Sequence, residues 1–384
     1  MRILFLTPYF YPALAMGGTP RAVYELGKAL VRLGHSVEVL TTDILSGEER
    51  IAVPRQAARI EGMKVHYLKG LPPALALSTR IFTAPGVKNF LKANLDSFDF
   101  VHLHEFRTFL NADFLNFWLS ERRPPFGISA HGGASRELGK SGLKKIFDRL
   151  WGERLLDQAA FLFAVSGLEE KAYLELGARP GKIKLLFNGI SPDFRGGIEP
   201  DPRAFREKFG LGDRPFALFL GRMNRIKGLD FLVESFARIE NPRLQLVLAG
   251  PDDGFSAPVS RLVKSLNLED RVHLLPFLSE QDKYSALASG AMTVLPSRYE
   301  IFGLSLLESL MMDKPIITTD RCGLGEYLQG KPGVEIVTFA DQTGLEQAIR
   351  RTFERGEGTG ETKAYCLEHF AWENIAKDYL QFIA

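Results

Sequence analysis

Short apolar runs alternate with longer amphipathic stretches along nearly the whole chain, the pattern of parallel sheets covered by helices. In the first half Ile3–Thr7, Val37–Thr42, Phe100–His104, Gly127–Ala130, Phe161–Val165 and Ile183–Phe187 read as strands. In the second half the runs are Phe216–Leu220, Leu244–Ala249, Val272–Pro276, Met292–Leu295, Ile316–Thr319 and Val334–Thr338. Each set predicts an open, doubly wound sheet. Between them Ser191-Pro-Asp-Phe-Arg-Gly-Gly-Ile-Glu-Pro-Asp-Pro202 is rich in Pro and Gly and reads as a linker. The clearest helix is the first. Thr19 is placed as its N-cap, Pro20 as its first residue and Gly34 as its stop, and Val23, Leu26, Leu30 and Leu33 form its apolar stripe. Trp372–Ile383 predicts a final helix.

Length turns these two sets into an expectation of two domains, because 384 residues exceed one ordinary core. The boundaries expected are 1–190 and 203–369, with a terminal helix at about 370–384. Hydrophobic content of 45% and charged content of 24% are those of a soluble globular protein. Two cysteines, Cys322 and Cys366, suit a reducing compartment rather than a disulfide framework. The first strand leaves no room for a signal peptide, and no apolar run is long enough to span a bilayer. The expected location is therefore cytoplasmic. The net charge of +2 divides unevenly, +7 over residues 1–195 and −5 over 196–384. A basic first half favours an anionic acceptor or an anionic membrane face. With no nucleic-acid module and no dense basic run, nucleic acid is not an expected partner.

The candidate chemistry follows strand ends. Glu300-Ile-Phe-Gly-Leu-Ser-Leu-Leu-Glu308 comes after the run ending at Leu295 and leads into a helix-like stretch, Leu304 to Met311. Phe302-Gly303 lets backbone N–H groups approach a ligand, and a helix N-terminus there favours phosphate. Two carboxylates around an anion site suit a ligand that is both phosphate and polyol. Upstream, Phe219-Leu-Gly-Arg-Met-Asn-Arg-Ile-Lys-Gly-Leu-Asp230 places Arg222 and Lys227 on a strand-to-helix loop, where a planar fork and a point charge together hold a diphosphate. Solvated acids and a basic turn are the plain alternatives. Gly17-Gly18 precedes the first helix and suits either a phosphate or a simple chain reversal. His131 follows a strand in Ser129-Ala130-His131-Gly132-Gly133, at the carboxyl end of the sheet, where ligands of open α/β folds bind. His102 and His104 share one strand face but find no third metal ligand.

These motifs together resemble the donor site of retaining glycosyltransferases of family 4. The resemblance rests on Arg222 with Lys227, the Glu300 to Glu308 spacing around Phe302-Gly303, Asn188-Gly189, and Met16-Gly17-Gly18-Thr19-Pro20-Arg21. It runs in order from about residue 2 to about residue 340. It implies the GT-B fold, two facing doubly wound Rossmann-like domains with a cleft between them and the last helix crossing back to the first domain. It implies transfer of a hexose from a nucleotide-diphosphate sugar to a glycan or glycolipid, in surface polysaccharide or lipopolysaccharide assembly. His131, Glu300, Arg222 and Lys227 are the implied catalytic set. His131 would orient the donor sugar, Arg222 and Lys227 stabilise the departing diphosphate, and Glu300 hold sugar hydroxyls. Glu308 would accept from the ribose. Gly17, Gly18, Asn188, Phe302, Gly303 and Leu304 complete the implied donor site. The expected reaction is a front-face displacement. No Asp-x-Asp motif is found, so the cation pair replaces a metal and no cofactor is expected.

The acceptor side is less defined. Lys140 to Leu156 carries Leu143, Phe147, Leu150 and Trp151 at helical spacing, with Lys144, Lys145 and Arg149 nearby. This suits a helix on an anionic membrane surface or, more plainly, a domain helix with its apolar face in the core. Arg21 joins the acceptor-side candidates. At the membrane the chain would be peripheral, on the inner face. Two other functions fit two facing domains: a sugar-nucleotide 2-epimerase and a non-catalytic nucleotide-sugar-binding subunit. An epimerase needs groups that abstract a sugar proton, and the four-residue constellation suits transfer better.

Overall fold

The computed structural model describes residues 1–54, 56–79, 81–121, 123–135, 141–356 and 360–384. The chain divides into two compact units, Met1–Gly189 with Trp372–Ala384, and Ile190–Ala371.

The first unit holds an eight-stranded sheet. Its strands are β1 (Arg2–Leu6), β2 (Ser36–Thr42), β3 (Ala58–Ile60), β4 (Met63–Leu68), β5 (Phe100–His104), β6 (Phe126–Ser129), β7 (Phe161–Ala164) and β8 (Ile183–Leu185). They lie in the order β3-β4-β2-β1-β5-β6-β7-β8, and every pair is parallel except β3 with β4. The strand direction along the chain reverses sides between β1 and β5, which makes their carboxyl ends the topological switch point. Strands β3 and β4 are additions to the six expected. Met63–Leu68 alternates buried with half-buried residues and carries Lys64 and His66, so it lacks an apolar run. The first helix is Gly18–Arg32, capped by Gly17 at φ 114°. Thr19 is therefore inside the helix rather than its cap. Gly34, at φ 86°, ends it in the left-handed region as its composition suggests. Trp372, Ile375, Ala376 and Tyr379 of the final helix, Trp372–Ile383, are buried in one core with Val23, Leu26 and Leu30 of the first.

The second unit has six parallel strands: β9 (Phe216–Leu220), β10 (Gln245–Ala249), β11 (Val272–Leu275), β12 (Met292–Leu295), β13 (Ile316–Thr319) and β14 (Val334–Val337). Their order is β11-β10-β9-β12-β13-β14, with the switch point between β9 and β12. The sheet is buried on both faces, since β9, β10 and β12 expose almost nothing. Both units are thus Rossmann-like, and the fold expected from the chain's periodicity is the fold it adopts.

Candidate functional site

In the second unit the two motif segments follow the two strands at the switch point. The loop after β9 carries Arg222 and Lys227, and the loop after β12 carries Glu300. Gly228 makes the first loop fit: at φ 67° it is left-handed, and a Cβ there would lie 2.2 Å from the Pro296 carbonyl oxygen. The Arg298 N–H donates to the Ile226 carbonyl at 2.8 Å, which ties the loops together. Asn224 caps the turn, its Oδ1 accepting from the Lys227 N–H at 3.2 Å. Beyond β12, the Glu300 N–H donates to the Arg321 carbonyl and its own carbonyl accepts from Gly323, each at 2.9 Å.

Held this way, Lys227 Nζ donates to Glu300 Oε2 at 2.5 Å, and neither side chain exposes more than 18% of its surface. Arg222 Nη1 pairs with Asp253 Oδ2 at 3.2 Å, a more open contact, and Asn224 Nδ2 reaches the same oxygen at 3.0 Å. Each cation therefore has a carboxylate partner. Gly303, at φ 101°, caps the helix Leu304–Met311. Helical geometry leaves the first-turn N–H groups of Leu304 and Ser305 without intrahelical acceptors, beside the buried Phe302. Glu308 lies one turn further in and is buried, with Oε1 accepting from Lys283 Nζ at 3.0 Å. Cations, helix-terminal amides and two carboxylates with distinct surroundings thus gather at one strand edge. That set can bind a diphosphate and several hydroxyls.

The switch point of the first unit is built from different groups. Glu105, just after β5, accepts from the Thr19 hydroxyl at 2.8 Å and the Tyr9 hydroxyl at 3.0 Å, both at Oε1. A carboxylate therefore adjoins the first turn of the helix behind Gly17 and Gly18. Arg21 stands in that helix, half-buried. The His131 loop is next to Glu105, since a Cβ on Gly133 would lie 3.4 Å from Glu105 Oε2. His131 has φ 48° and its Nε2 is 3.1 Å from His104 Nδ1. The packing around its ring pushes its pKa down to about 4. Burial, reinforced by neighbouring imidazoles, holds His102 and His104 well below the usual value too. Three neutral histidines therefore line this edge near pH 7. A small cavity is lined by His104, His131, Ser129, Asn188 and Trp372.

The His131 loop is held from behind by the helix Gly167–Glu175. Glu169 is fully buried and accepts from Gly132 N–H at 2.6 Å and Val165 N–H at 2.9 Å. Burial raises its pKa to about 7, against the pull of those two donors. Tyr173 accepts from the Ala130 N–H at 2.9 Å. Ser166-Gly-Leu-Glu169 has a capping-box spacing, the one local feature that marks Glu169; Ser166 does cap the helix, but the glutamate turns to the Gly132 N–H of the His131 loop instead. Glu105, Glu169, Asp253 and Lys283 escaped the sequence reading.

The segment from Lys140 to Leu156 behaves differently from its sequence stripe; Lys140 itself lies outside the described residues. Ser141–Phe147 is α-helical, Asp148–Gly152 is a π turn and Glu153–Gln158 is α-helical again. Asp148 is drawn inside by Arg107, whose Nε donates to Oδ1 at 2.7 Å and Nη2 to Oδ2 at 2.9 Å. Phe147 and Trp151 turn inward to meet the Phe109 ring. Leu143, Ile146 and Leu150 are left 58%, 57% and 51% exposed. Lys145 and Arg149 are exposed in the same turns. Lys144 instead donates to the Ser135 carbonyl at 2.8 Å, and burial, with Arg107 nearby, lowers its pKa to about 8.

Among the described residues no group of three or more His, Cys, Asp or Glu side chains is arranged to hold a metal ion. Cys322 and Cys366 are buried and unpaired in a disulfide. No described helix is long and apolar enough to cross a membrane.

Both halves match known families: residues 17–189 the glycosyl transferase 4-like domain, and residues 201–365 the glycosyl transferases group 1. An uncharacterised glycosyltransferase of Methanocaldococcus jannaschii is 24% identical over 98% of this chain and 96% of its own. The structure of HepE from Anabaena in complex with UDP and glucose has a TM-score of 0.74 at 18% identity, covering 99% of this chain and 98% of its own. WaaG, a glycosyltransferase involved in lipopolysaccharide biosynthesis, has a TM-score of 0.63 at 18% identity, covering 98% and 94%. These likenesses favour sugar transfer over the epimerase and binding-subunit readings. Matched in both halves by glycosyltransferase families, with its switch-point cations and carboxylates on the GT-B fold, the chain belongs to the group 1 glycosyltransferases.

Proposed function

We propose that the chain is a retaining hexosyltransferase that uses a nucleotide-diphosphate sugar and transfers to a glycan or lipid-linked acceptor, in surface polysaccharide or lipopolysaccharide assembly. The observation that carries this reading is the switch point of the second unit, where Lys227 meets Glu300 and Arg222 meets Asp253. A diphosphate carries more charge than either carboxylate. It would take over Arg222 and Lys227 and leave Glu300 to accept from sugar hydroxyls. The amides of Phe302, Gly303 and Leu304 add donors to the diphosphate, and Glu308 receives the ribose. His131, neutral at working pH, hydrogen-bonds a hydroxyl of the transferred sugar, and Asn188, Gly17 and Gly18 complete the sugar-handling set of the first unit.

The anomeric carbon loses its bond to the phosphate oxygen and gains one to the acceptor oxygen on the same face. The acceptor proton passes to the departing phosphate oxygen, so the protein supplies position and charge rather than a nucleophile. The two cations take the place of a divalent metal. HepE was solved with UDP, which makes UDP-sugars the first donors to assay.

The acceptor is met at a membrane face. Leu143, Ile146 and Leu150 form an exposed apolar ridge with Lys145 and Arg149 beside it, the composition of an interfacial segment. Each basic residue near an anionic surface adds about 1 kcal/mol, screened by salt. The chain should therefore sediment with phosphatidylglycerol vesicles at low salt, and changing Leu143, Ile146 and Leu150 to Ser should release it. A wild type that ignores such vesicles makes a soluble acceptor the better reading.

The transfer reading is tested with labelled UDP-, GDP- and ADP-sugars and a lipid extract as acceptor, in the presence of EDTA. Product with the donor's anomeric configuration is expected, at a rate EDTA does not change. An inverted product would overturn the retaining assignment, and loss of activity in EDTA the metal-free one.

A further inference from the structure

Glu308 is buried in the helix Leu304–Met311, yet only one of its carboxylate oxygens is engaged. Oε1 accepts from Lys283 Nζ at 3.0 Å, and Oε2 makes no hydrogen bond among the described residues. Lys283 comes from the helix Glu280–Ser289, which no sequence motif marks. Its side chain is 12% exposed and that of Glu308 is 7% exposed. The ammonium is fixed on three sides. It pairs with Glu280 at 3.2 Å and Glu308 at 3.0 Å, and lies 4.3 Å from the centroid of the Tyr284 ring. Tyr284 is itself anchored, with its hydroxyl 2.8 Å from the Phe194 carbonyl and 3.0 Å from Glu280 Oε2.

A lone carboxylate this deep would be desolvated at a cost of several kcal/mol and would take up a proton or swing toward water. Lys283 supplies the buried partner charge that such a carboxylate needs, and it turns Glu308 so that one oxygen is spent and the other is available. A ribose diol needs such an acceptor, with fixed direction and full negative charge.

We infer that Lys283 is a positioning residue of the donor site: it holds Glu308 as an oriented carboxylate that reads the ribose hydroxyls of the bound nucleotide. This rests on the assignment of Glu308 to the ribose, and the experiment separates the two. The Lys283 ammonium is taken up by Glu280, Glu308 and the Tyr284 ring, so its removal should leave diphosphate binding in place and erase only the preference for ribose.

The test measures affinity by calorimetry for UDP, GDP and ADP, and then for the 2′-deoxy and 3′-deoxy forms of whichever binds most tightly. Wild type should prefer the ribonucleotide about tenfold or more, as expected for a hydrogen bond to a charged group. Lys283→Met should bind the deoxy forms as wild type does, but its preference should fall to within about threefold of unity, on the same hydrogen-bond scale. Lys283→Arg, which keeps the charge, should retain most of the preference. A merely structural ion pair would lower the melting temperature of Lys283→Met without touching the ratio. Should Lys283→Met fail to fold, Lys283→Gln fills the space without the charge and is read in the same way. If wild type itself does not distinguish ribose from deoxyribose, the Glu308 assignment falls and this inference with it. If wild type distinguishes them and the folded variant does so equally well, only the role of Lys283 is overturned.

Discussion

The two switch points occupy equivalent places in two sheets of similar topology, yet their chemistry differs. In the second unit the loops after β9 and β12 present Arg222 and Lys227, each neutralised by a carboxylate. In the first, the loops after β1 and β5 bring Glu105 against Tyr9 and Thr19, next to histidines kept neutral by burial. On the proposed reading, the second site exchanges a carboxylate for a phosphate. The other offers a carboxylate and uncharged imidazoles, which suit hydroxyl groups better than anions. Topology places a crevice, and a few loop side chains decide what it binds. The contrast also weighs on Gly17 and Gly18. With Glu105 bonded to Thr19 in the first turn, that helix start already adjoins a negative charge, so a sugar hydroxyl fits there better than a phosphate.

The largest effect should come from breaking the charged site. If the proposed donor site is right, Arg222→Ala or Lys227→Ala removes a cation from the departing diphosphate, and it also strands Asp253 or Glu300. Each should cost on the order of 2–4 kcal/mol in kcat/KM, as loss of one charge-stabilising group does elsewhere. Lys227→Ala should be the worse of the two, because its pair with Glu300 is the more buried. Steady-state kinetics on the folded variants decides this, and wild-type kinetics in the double variant would remove the second unit's claim to the donor.

A smaller effect should divide the two carboxylates. Glu308→Gln should weaken the free nucleoside diphosphate by about 1.5–3 kcal/mol, the range for a hydrogen bond to a charged group. Glu300→Gln should spare the nucleoside diphosphate and weaken only the complete donor. Equal losses of nucleoside diphosphate affinity in both variants would show that the two residues do not serve different parts of the ligand.

Much of this contrast was legible in the chain, and the illegible part has a common cause. All six strands of the second unit stand at the predicted runs: β9, β10, β12 and β13 are buried and largely apolar, and the half-buried β11 and β14 each interrupt their apolar run with only one polar residue, His273 or Glu335. Ala58–Ile60 and Met63–Leu68 were missed because they are short or half-buried and break the apolar run with charges. Glu300 and Glu308 were visible because their spacing is local to one loop and helix. Lys283, Asp253, Glu105 and Glu169 gain their roles from partners 25 or more positions away, a relation that periodicity does not record. The stripe from Leu143 to Trp151 misled for a local reason. The π turn at Asp148–Gly152, held by Arg107, sends Phe147 inward and Leu150 outward where a regular helix would keep them on one face.

The finest test of the contrast is whether the first unit's imidazoles are in fact neutral, and it is read in stability rather than rate. His131 has a folded pKa of about 4, below the 6.5 of an ordinary histidine. Its contribution is complete above pH 6.5. As pH falls below that value the unfolded chain binds a proton that the folded chain refuses, so stability is lost until about pH 4. His102 and His104 act in the same direction. Glu169 acts the opposite way, because its folded pKa of about 7 lies above the ordinary 4.5. Between pH 7 and 4.5 the folded chain keeps a proton the unfolded chain has released, so this residue adds stability as pH falls. Among these four groups three oppose one, and His35 and His273, also held below the ordinary value by burial, side with the three; the balance is a net loss on acidification, at about 1.4 kcal/mol per pH unit for each unmatched proton. Urea unfolding at pH 7 and pH 5 should show that loss in wild type. His131→Asn removes one titrating group without adding charge, and should shrink the difference between the two pH values by about 2 kcal/mol. An unchanged difference would mean that His131 takes up its proton in the folded protein as readily as in the unfolded one. The first site would then carry positive charge at mildly acid pH, and its contrast with the second would narrow to the placement of Glu105.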